Sequence, residues 1–335
     1  MKQVIYLFLL TLSMISCGND RPSIDVSKSK LEDVKIQRFD IDFYNTDTNN
    51  VNANLNKLKD KYGNFVDLYL HRILGIQPMY SDSEMVRKFL THPAYHEIYG
   101  DCEKEYKDVS DIEKQFTGAF KRINTLYPQL KLPKVYTHFS GFGEYIVVNE
   151  NVLSISLEYY LGADYKKYKY IDGIYEYLYP NLRREKLTSD AIFWWLTTEF
   201  VYPETETQEL LRNMIYYGKI MYLTAALLPD VSDTDLMGYT QEQWDWCETN
   251  EAQMWNYMLT NKHLFSTEAL VIAKYINPAP FTAFFPDYSP GRTGIWIGWQ
   301  IVKSFMKNNS DVSIQELMNI QNAQNILEAS GYHPN

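Results

Sequence analysis

The sequence predicts an α+β protein, a mostly helical single body with a small central sheet at about residues 133–158. Three observations predict it. Apolar residues recur at helical spacing from about 50 to 128, strand-like runs punctuated by turn residues fill 134–157, and tryptophan-rich helical patterning resumes at 188 and continues to 330. Helices, then strands, then helices, without alternating βα units, is the order of an α+β domain. The 335 residues are 45% apolar with only 15 Gly and 13 Pro, a composition that folds, and residues 35–332 suffice for one large core.

The chain opens with Lys2 and an almost unbroken apolar run from Val4 to Leu12, which is the layout of a signal peptide over residues 1–16. The run is too short to cross a bilayer as a helix. Met14, Ile15 and Ser16 lead into Cys17 as a lipobox, so Cys17 is the expected lipid attachment site; a plain signal peptide beside a chance cysteine is the competing reading. This address places the protein in the cell envelope, lipid-anchored to a membrane, with the outer membrane facing the periplasm as the expected one. Residues 17–34 are polar and aperiodic and are expected to form a tether.

Ile36, Phe39, Ile41 and Phe43 alternate closely enough to predict a strand over 35–43. Leu55, Leu58 and Tyr62 share one helix face, as do Ile112, Phe116, Phe120 and Ile123. Val135–Phe139, Tyr145–Val148 and Val152–Leu157 read as strands, with Gly141 and Gly143 turning the chain between the first two. Thr188, Ser189 and Asp190 supply N-cap chemistry for a helix that stops near Pro203. Gln208–Leu228 is apolar over so wide a surface that it predicts a helix buried on most sides. Thr240 with Gln243, and Ser313 with Glu316, are capping boxes. Gly294 and Gly298 lie four apart on one helix face, where absent side chains let a second helix approach.

The chemistry-bearing residues exclude more than they propose. With 32 basic against 42 acidic side chains the net charge is −10, which argues against a nucleic-acid partner. Cys102 and Cys247 are left to pair or to remain buried thiols; a buried, inert Cys247 is expected from its helical surroundings. His92 and His96 stand at i, i+4, yet the order is not HExxH and Pro93 makes this a helix start, so two surface histidines are expected rather than a metal site. Glu144, Glu150, Glu158 and Asp164 cluster at the sheet and are read as solvated strand-end acids, with a glycosidase pair as the alternative. There is no nucleophile elbow, Walker loop or dinucleotide fingerprint, and Ser140–Gly143 is read as a turn. Eight tyrosines between Tyr159 and Tyr179 are expected to pack under a loop; if exposed, they suit a glycan or peptide surface.

Five segments carry a family likeness: SGFGEYIVVNENVLSISLEYYLG (140–162), NMIYYGKIMYLTAALLPD (213–230), GYTQEQWDWCETNEAQMW (238–255), YINPAPF (275–281) and GRTGIWIGWQIV (291–302). In these, and in the lipobox ahead of them, the chain resembles the gliding-motility-associated lipoprotein B family of Bacteroidota, in one collinear order over nearly its whole length. That family is distantly similar to zincin-type zinc peptidases, whose active helix carries HExxH and whose later helix carries a Glu-Gly pair. The matching stretches here read Trp194-Trp-Leu-Thr-Thr-Glu199 and Tyr217-Gly218-Lys219. No histidine stands on the first helix and a tyrosine stands at the third ligand position, so the resemblance implies a degenerate zincin-like scaffold without metal or cofactor.

Glu199, Tyr217, Lys219 and Arg292 are the candidate residues of a groove retained for binding, in which a partly buried Glu199 would need Lys219 or Arg292 as its partner; a helix-end glutamate in water is the competing reading. The expected function is a non-catalytic, lipid-anchored envelope protein that interacts with other proteins of a gliding or secretion-type apparatus. A glycan-binding lipoprotein, or a hydrolase with an unrecognised metal or carboxylate site, are the alternatives.

Overall fold

The computed structural model describes residues 21–202 and 208–334; the signal peptide, Cys17 and Pro203 lie outside the described residues. A four-stranded sheet, β1 (Gln37–Arg38), β2 (Lys134–His138), β3 (Ile146–Asn149) and β4 (Val152–Ser156), has the order β1-β2-β4-β3. β2 runs parallel to β1 and to β4, while β3 returns antiparallel to β4. In this register Tyr136, Ser154 and Val147 lie side by side, so the strands' alternation gives the sheet two packed faces.

A smaller core covers the face of Tyr136 and Val147. It is built by α1 (Phe39–Tyr44), α2 (Val51–Tyr62), α3 (Phe65–Leu68) and α4 (Asp82–Leu90). Here one expectation is corrected: only Gln37 and Arg38 of the predicted 35–43 strand are extended, and the rest is α1. Phe39 and Phe43 are i, i+4, and their rings meet at 5.6 Å on one helical face. Asp40 in the first turn accepts from Arg38 and from Thr137 of β2, which seals the helix start against the sheet.

The larger core holds α5 (Pro93–Glu105) and α6 (Ser110–Leu126) before the sheet and the helices after it, while Tyr168, Ile174 and Leu182 form a small third cluster between. Those later helices are α7 (Leu187–Glu199), α8 (Leu210–Leu227), α9 (Asp233–Met237), α10 (Gln241–Thr260), α11 (Ala269–Ile276), α12 (Thr293–Asn308), α13 (Ile314–Asn319) and α14 (Ala323–Ser330). Both capping boxes form, at Thr240 and Ser313. α7 differs from expectation: it starts at Leu187, and Thr188 and Ser189 are buried inside its first turn rather than capping it. That turn is wound by Lys186, whose ammonium lies 2.9 Å from Asp190 one turn on.

α8 is buried on most sides, as its composition predicts. It crosses α12 at Gly218 and Gly298, where the backbones touch: a Cβ on Gly298 would lie 1.9 Å from the Met214 carbonyl oxygen. Gly294, one turn earlier, packs in the same way against Tyr275 of α11.

The tether is also shorter than expected. From Arg21 onward it lies along the body, with Ile24, Leu31 and Val34 packed on the larger core and the Val34 N–H donating to Thr117 at 2.9 Å. Ile24, Leu31 and Val34 are too widely spaced to read as a cluster in sequence, yet all three pack on the core in the fold. Cys102 and Cys247 are separate, free and buried, so the pairing alternative is set aside; burial pushes both thiols up.

Candidate functional site

The cavity that defines the candidate site is a groove of about 540 Å³ beside the α8 and α12 crossing. One wall is the tyrosine-rich segment, through Ile174, Tyr175, Tyr177 and Leu178; the other is Tyr217 of α8, Tyr239, the 276–280 segment, and Arg292 and Ile295 at the start of α12. α7 runs between them and contributes Asp190, Phe193 and Trp194. All five segments that carry the family likeness place residues in this lining, from Tyr145 and Tyr159 in the first to Arg292 in the last.

The rim is held by side-chain to backbone bonds across long sequence distances. Asn181 donates to the Gly238 carbonyl at 2.9 Å, and the Tyr239 hydroxyl donates to that of Gly291 at 2.6 Å. Gly238 has φ +73° and ends α9 in the left-handed conformation glycine allows, with Asn181 packed where a Cβ would stand. Gly291 lies flat on the 276–280 segment: a Cβ there would lie 2.3 Å from the Ala279 carbonyl oxygen.

The floor is a buried ion pair. Lys186 bonds Asp190 at 2.9 Å and the Asp235 carbonyl at 2.6 Å, and the second oxygen of Asp190 accepts from the Tyr145 hydroxyl at 2.7 Å and from Tyr160 at 3.3 Å. Burial and the Asp190 charge push both phenols up, so they remain donors. Every charge on the floor is spent on its neighbours. Arg292 is different: it holds the Met237 carbonyl at 3.2 Å through one nitrogen, and among the described residues no carboxylate lies within 4 Å of it.

The four predicted groove residues divide. Tyr217 and Arg292 line the cavity, with Tyr217 stacked on Phe193 at 6.3 Å. Glu199 and Lys219 do not. Glu199 accepts from the indole N–H of Trp195 in its own helix at 3.0 Å, so neither Lys219 nor Arg292 is its partner. Lys219 points away, bonding the carbonyls of Met318 at 3.3 Å and Ile320 at 2.9 Å, and burial lowers its pKa to about 8. Successive residues on a helix turn by about 100°, so Tyr217 and Lys219, two positions apart, point about 160° from each other and cannot serve one surface.

Sequence reasoning missed the Lys186 and Asp190 pair, taking Asp190 for a cap. The available signal was a lysine and an aspartate four apart at the head of an otherwise apolar helix. It also misjudged one acid. Glu144, Glu150 and Asp164 are exposed as expected, whereas Glu158 is wholly buried: it accepts from the Ser140 N–H at 2.8 Å, the Ser140 hydroxyl at 2.7 Å and the Phe142 N–H at 3.0 Å. The carboxylate thus staples the Ser140–Gly143 turn, where Gly141 and Phe142 have φ +69° and +65°, and burial raises its pKa. His92 and His96 are exposed at the start of α5, and among the described residues no three histidine, cysteine or acidic side chains converge as metal ligands would.

The tyrosine segment is part packed and part open. Tyr160 and Tyr168 are fully buried, whereas Tyr170 is 74% and Tyr175 61% exposed. Among the described residues no helix is long and apolar enough to cross a membrane.

Fold and groove together define a mostly helical α+β body with an aromatic-walled cleft assembled around a glycine-mediated helix crossing. Residues 19–334 match the family described as gliding motility protein GldB, and the chain belongs to that family, whose members are lipoproteins of the cell envelope related to gliding motility. No curated protein and no solved structure matches the chain.

Proposed function

We propose that this protein is a non-catalytic, lipid-anchored component of a gliding or secretion-type envelope apparatus, attached through Cys17 to the outer membrane on its periplasmic side, and that it holds a segment of a partner protein in the groove. The observation that carries this reading is the groove's composition. Its walls are aromatic and apolar, its floor charges neutralise one another, and among the described lining residues Arg292 and the exposed Asp172 are the charges without an ion-pair partner. Rigid aromatic surface with few polar groups suits recognition, because it supplies contact area at little entropic cost.

A photo-crosslinking residue in place of Trp194, which is 46% exposed on the rim, tests this in cells. A small reproducible set of envelope proteins is expected, lost when Tyr217→Ala is added. Hydrolysis by the purified protein that stops when metal is withdrawn overturns the non-catalytic reading.

One observation favours a second reading. Tyr175 and Tyr177 stack parallel at 5.9 Å on the open wall, a platform on which a sugar ring would lie. Affinity for envelope glycans that disappears in Tyr175→Ala would select glycan binding instead.

A further inference from the structure

The described chain begins at a clamp. Arg21 lies at the C-terminal end of α8, where its Nη1 donates to the carbonyls of Leu228 at 3.2 Å, Pro229 at 3.1 Å and Val231 at 2.5 Å. Its Nε donates to Asp233 at 3.1 Å and its Nη2 bonds the same carboxylate. Leu228 is the C-cap of α8, and Pro229 and Val231 follow it at the negative end of the helix dipole, so a guanidinium suits these carbonyls in both hydrogen bonding and charge. Asp233 also faces Lys303, which lies over the rings of Trp244 and Trp299. Beyond the clamp, Lys121 pairs with Asp33 and Lys35 with Glu113, so the segment follows α6 to the sheet.

Cys17 precedes Arg21 by four residues, which span at most about 14 Å when extended. A freely moving segment of residues 17–34 would instead let the body wander on the order of 25 Å from its anchor. We propose that docking of Arg21 holds the body against the membrane in one orientation, with the face from Pro229 to Asp233 turned to the lipid headgroups. This rests on lipid attachment at Cys17. The same face leads into the groove: α9 starts at Asp233, which binds Arg21, and supplies Leu236 and, at its end, Gly238 to the groove wall. At about 1.5 Å per helical residue the groove edge lies within about 10 Å of the clamp. Its occupant is therefore a protein segment held close to the same bilayer.

The test uses the full chain, extracted with its lipid and reconstituted in phosphatidylcholine vesicles containing a nickel-chelating lipid. Nitroxide labels are placed through Asp230→Cys, on the clamp face, and Met79→Cys, an exposed position outside the smaller core across the sheet. Cys102 and Cys247 are buried, so labelling goes to the introduced thiols. Relaxation by nickel is expected to be several-fold stronger at 230 than at 79, and nearly equal once Arg21→Ala or Asp233→Asn is added. Equal relaxation in the clamped protein overturns the orientation, and a difference that survives both substitutions overturns the role of the clamp. The mass of the N-terminal peptide reports the anchor separately: a peptide without lipid overturns attachment at Cys17, whereas a lipidated protein with equal relaxation leaves attachment standing.

Discussion

The α8 and α12 crossing and the groove beside it use the same two helices in opposite ways. At the crossing, Gly218 and Gly298 remove side chains until backbone meets backbone. One residue before Gly218 stands Tyr217, and one to two turns before Gly298 stand Ile295 and Arg292, whose side chains line the groove. The crossing sets the helix separation to within the reach of a single atom, and so fixes the one groove wall to which both helices contribute. Stability and recognition are thus divided between neighbouring faces of the same helices, and substitutions should separate them.

The largest expected effect is at the crossing. Gly298→Val should cost on the order of 4 kcal/mol, with Gly298→Ala less, because the Met214 backbone cannot move away without shifting α8. Chemical denaturation measures the loss; a change below about 1 kcal/mol would mean the helices separate easily, and their shared groove wall would then not be held in place.

Next comes the groove floor. Asp190→Ala leaves the Lys186 ammonium buried without its carboxylate and should cost about 3 kcal/mol, the low end for a buried pair because Asp190 is partly exposed. Replacing both, as Lys186→Met with Asp190→Leu, should recover much of it, which a double-mutant cycle would show.

The sheet adds a pH-dependent contrast. His138 is fully buried, its Nε2 donating to the Glu144 carbonyl at 3.3 Å while Nδ1 pairs with the Ser154 hydroxyl at 2.7 Å, and burial lowers its pKa to about 3 from 6.5. Between those values the unfolded chain binds the extra proton, so this contribution to stability is whole above about pH 6.5 and falls as pH drops towards 3. The loss attributable to His138 should be on the order of 3 kcal/mol between pH 7 and 4, and should vanish from the pH profile of His138→Gln. Glu158 works in the opposite sense, since a raised carboxyl pKa costs stability as pH rises from about 4.5; comparing the two proteins at each pH cancels it.

The smallest effect on stability is expected at Arg292. Its φ of +61° is left-handed, so Arg292→Gly relieves the backbone while removing the guanidinium. Stability should stay within about 1 kcal/mol of the parent, while crosslinking at Trp194 is lost. Retained crosslinking would show that the groove does not use this charge.

Much of the fold was legible because its determinants sit within one turn of each other. The faces of α2 and α6, the capping boxes of α10 and α13, the three longer strands and the glycine spacing of α12 each depend on residues about two to four apart. Phe39 and Phe43 mark where that logic is ambiguous, since residues four apart suit both a strand face and a helix face; the sheet edge and the buried Asp40 chose the helix. Of the candidate site, Tyr217 and Arg292 were found, and Glu199 and Lys219 were assigned to a surface they do not share.

The sequence by itself determined most of the helices and strands, α1 excepted, which helix would be engulfed, and where two helices would meet at glycine, because those properties follow from local periodicity. Only the tertiary structure decided which charges would lose water. Arg21 meets Asp233 across 212 positions, Lys219 meets the Ile320 carbonyl across 101, and Glu158 reaches back to the turn before β3. A buried charge survives only where a partner is supplied, and here the partner comes from a distant part of the chain, so neither composition nor spacing can specify it.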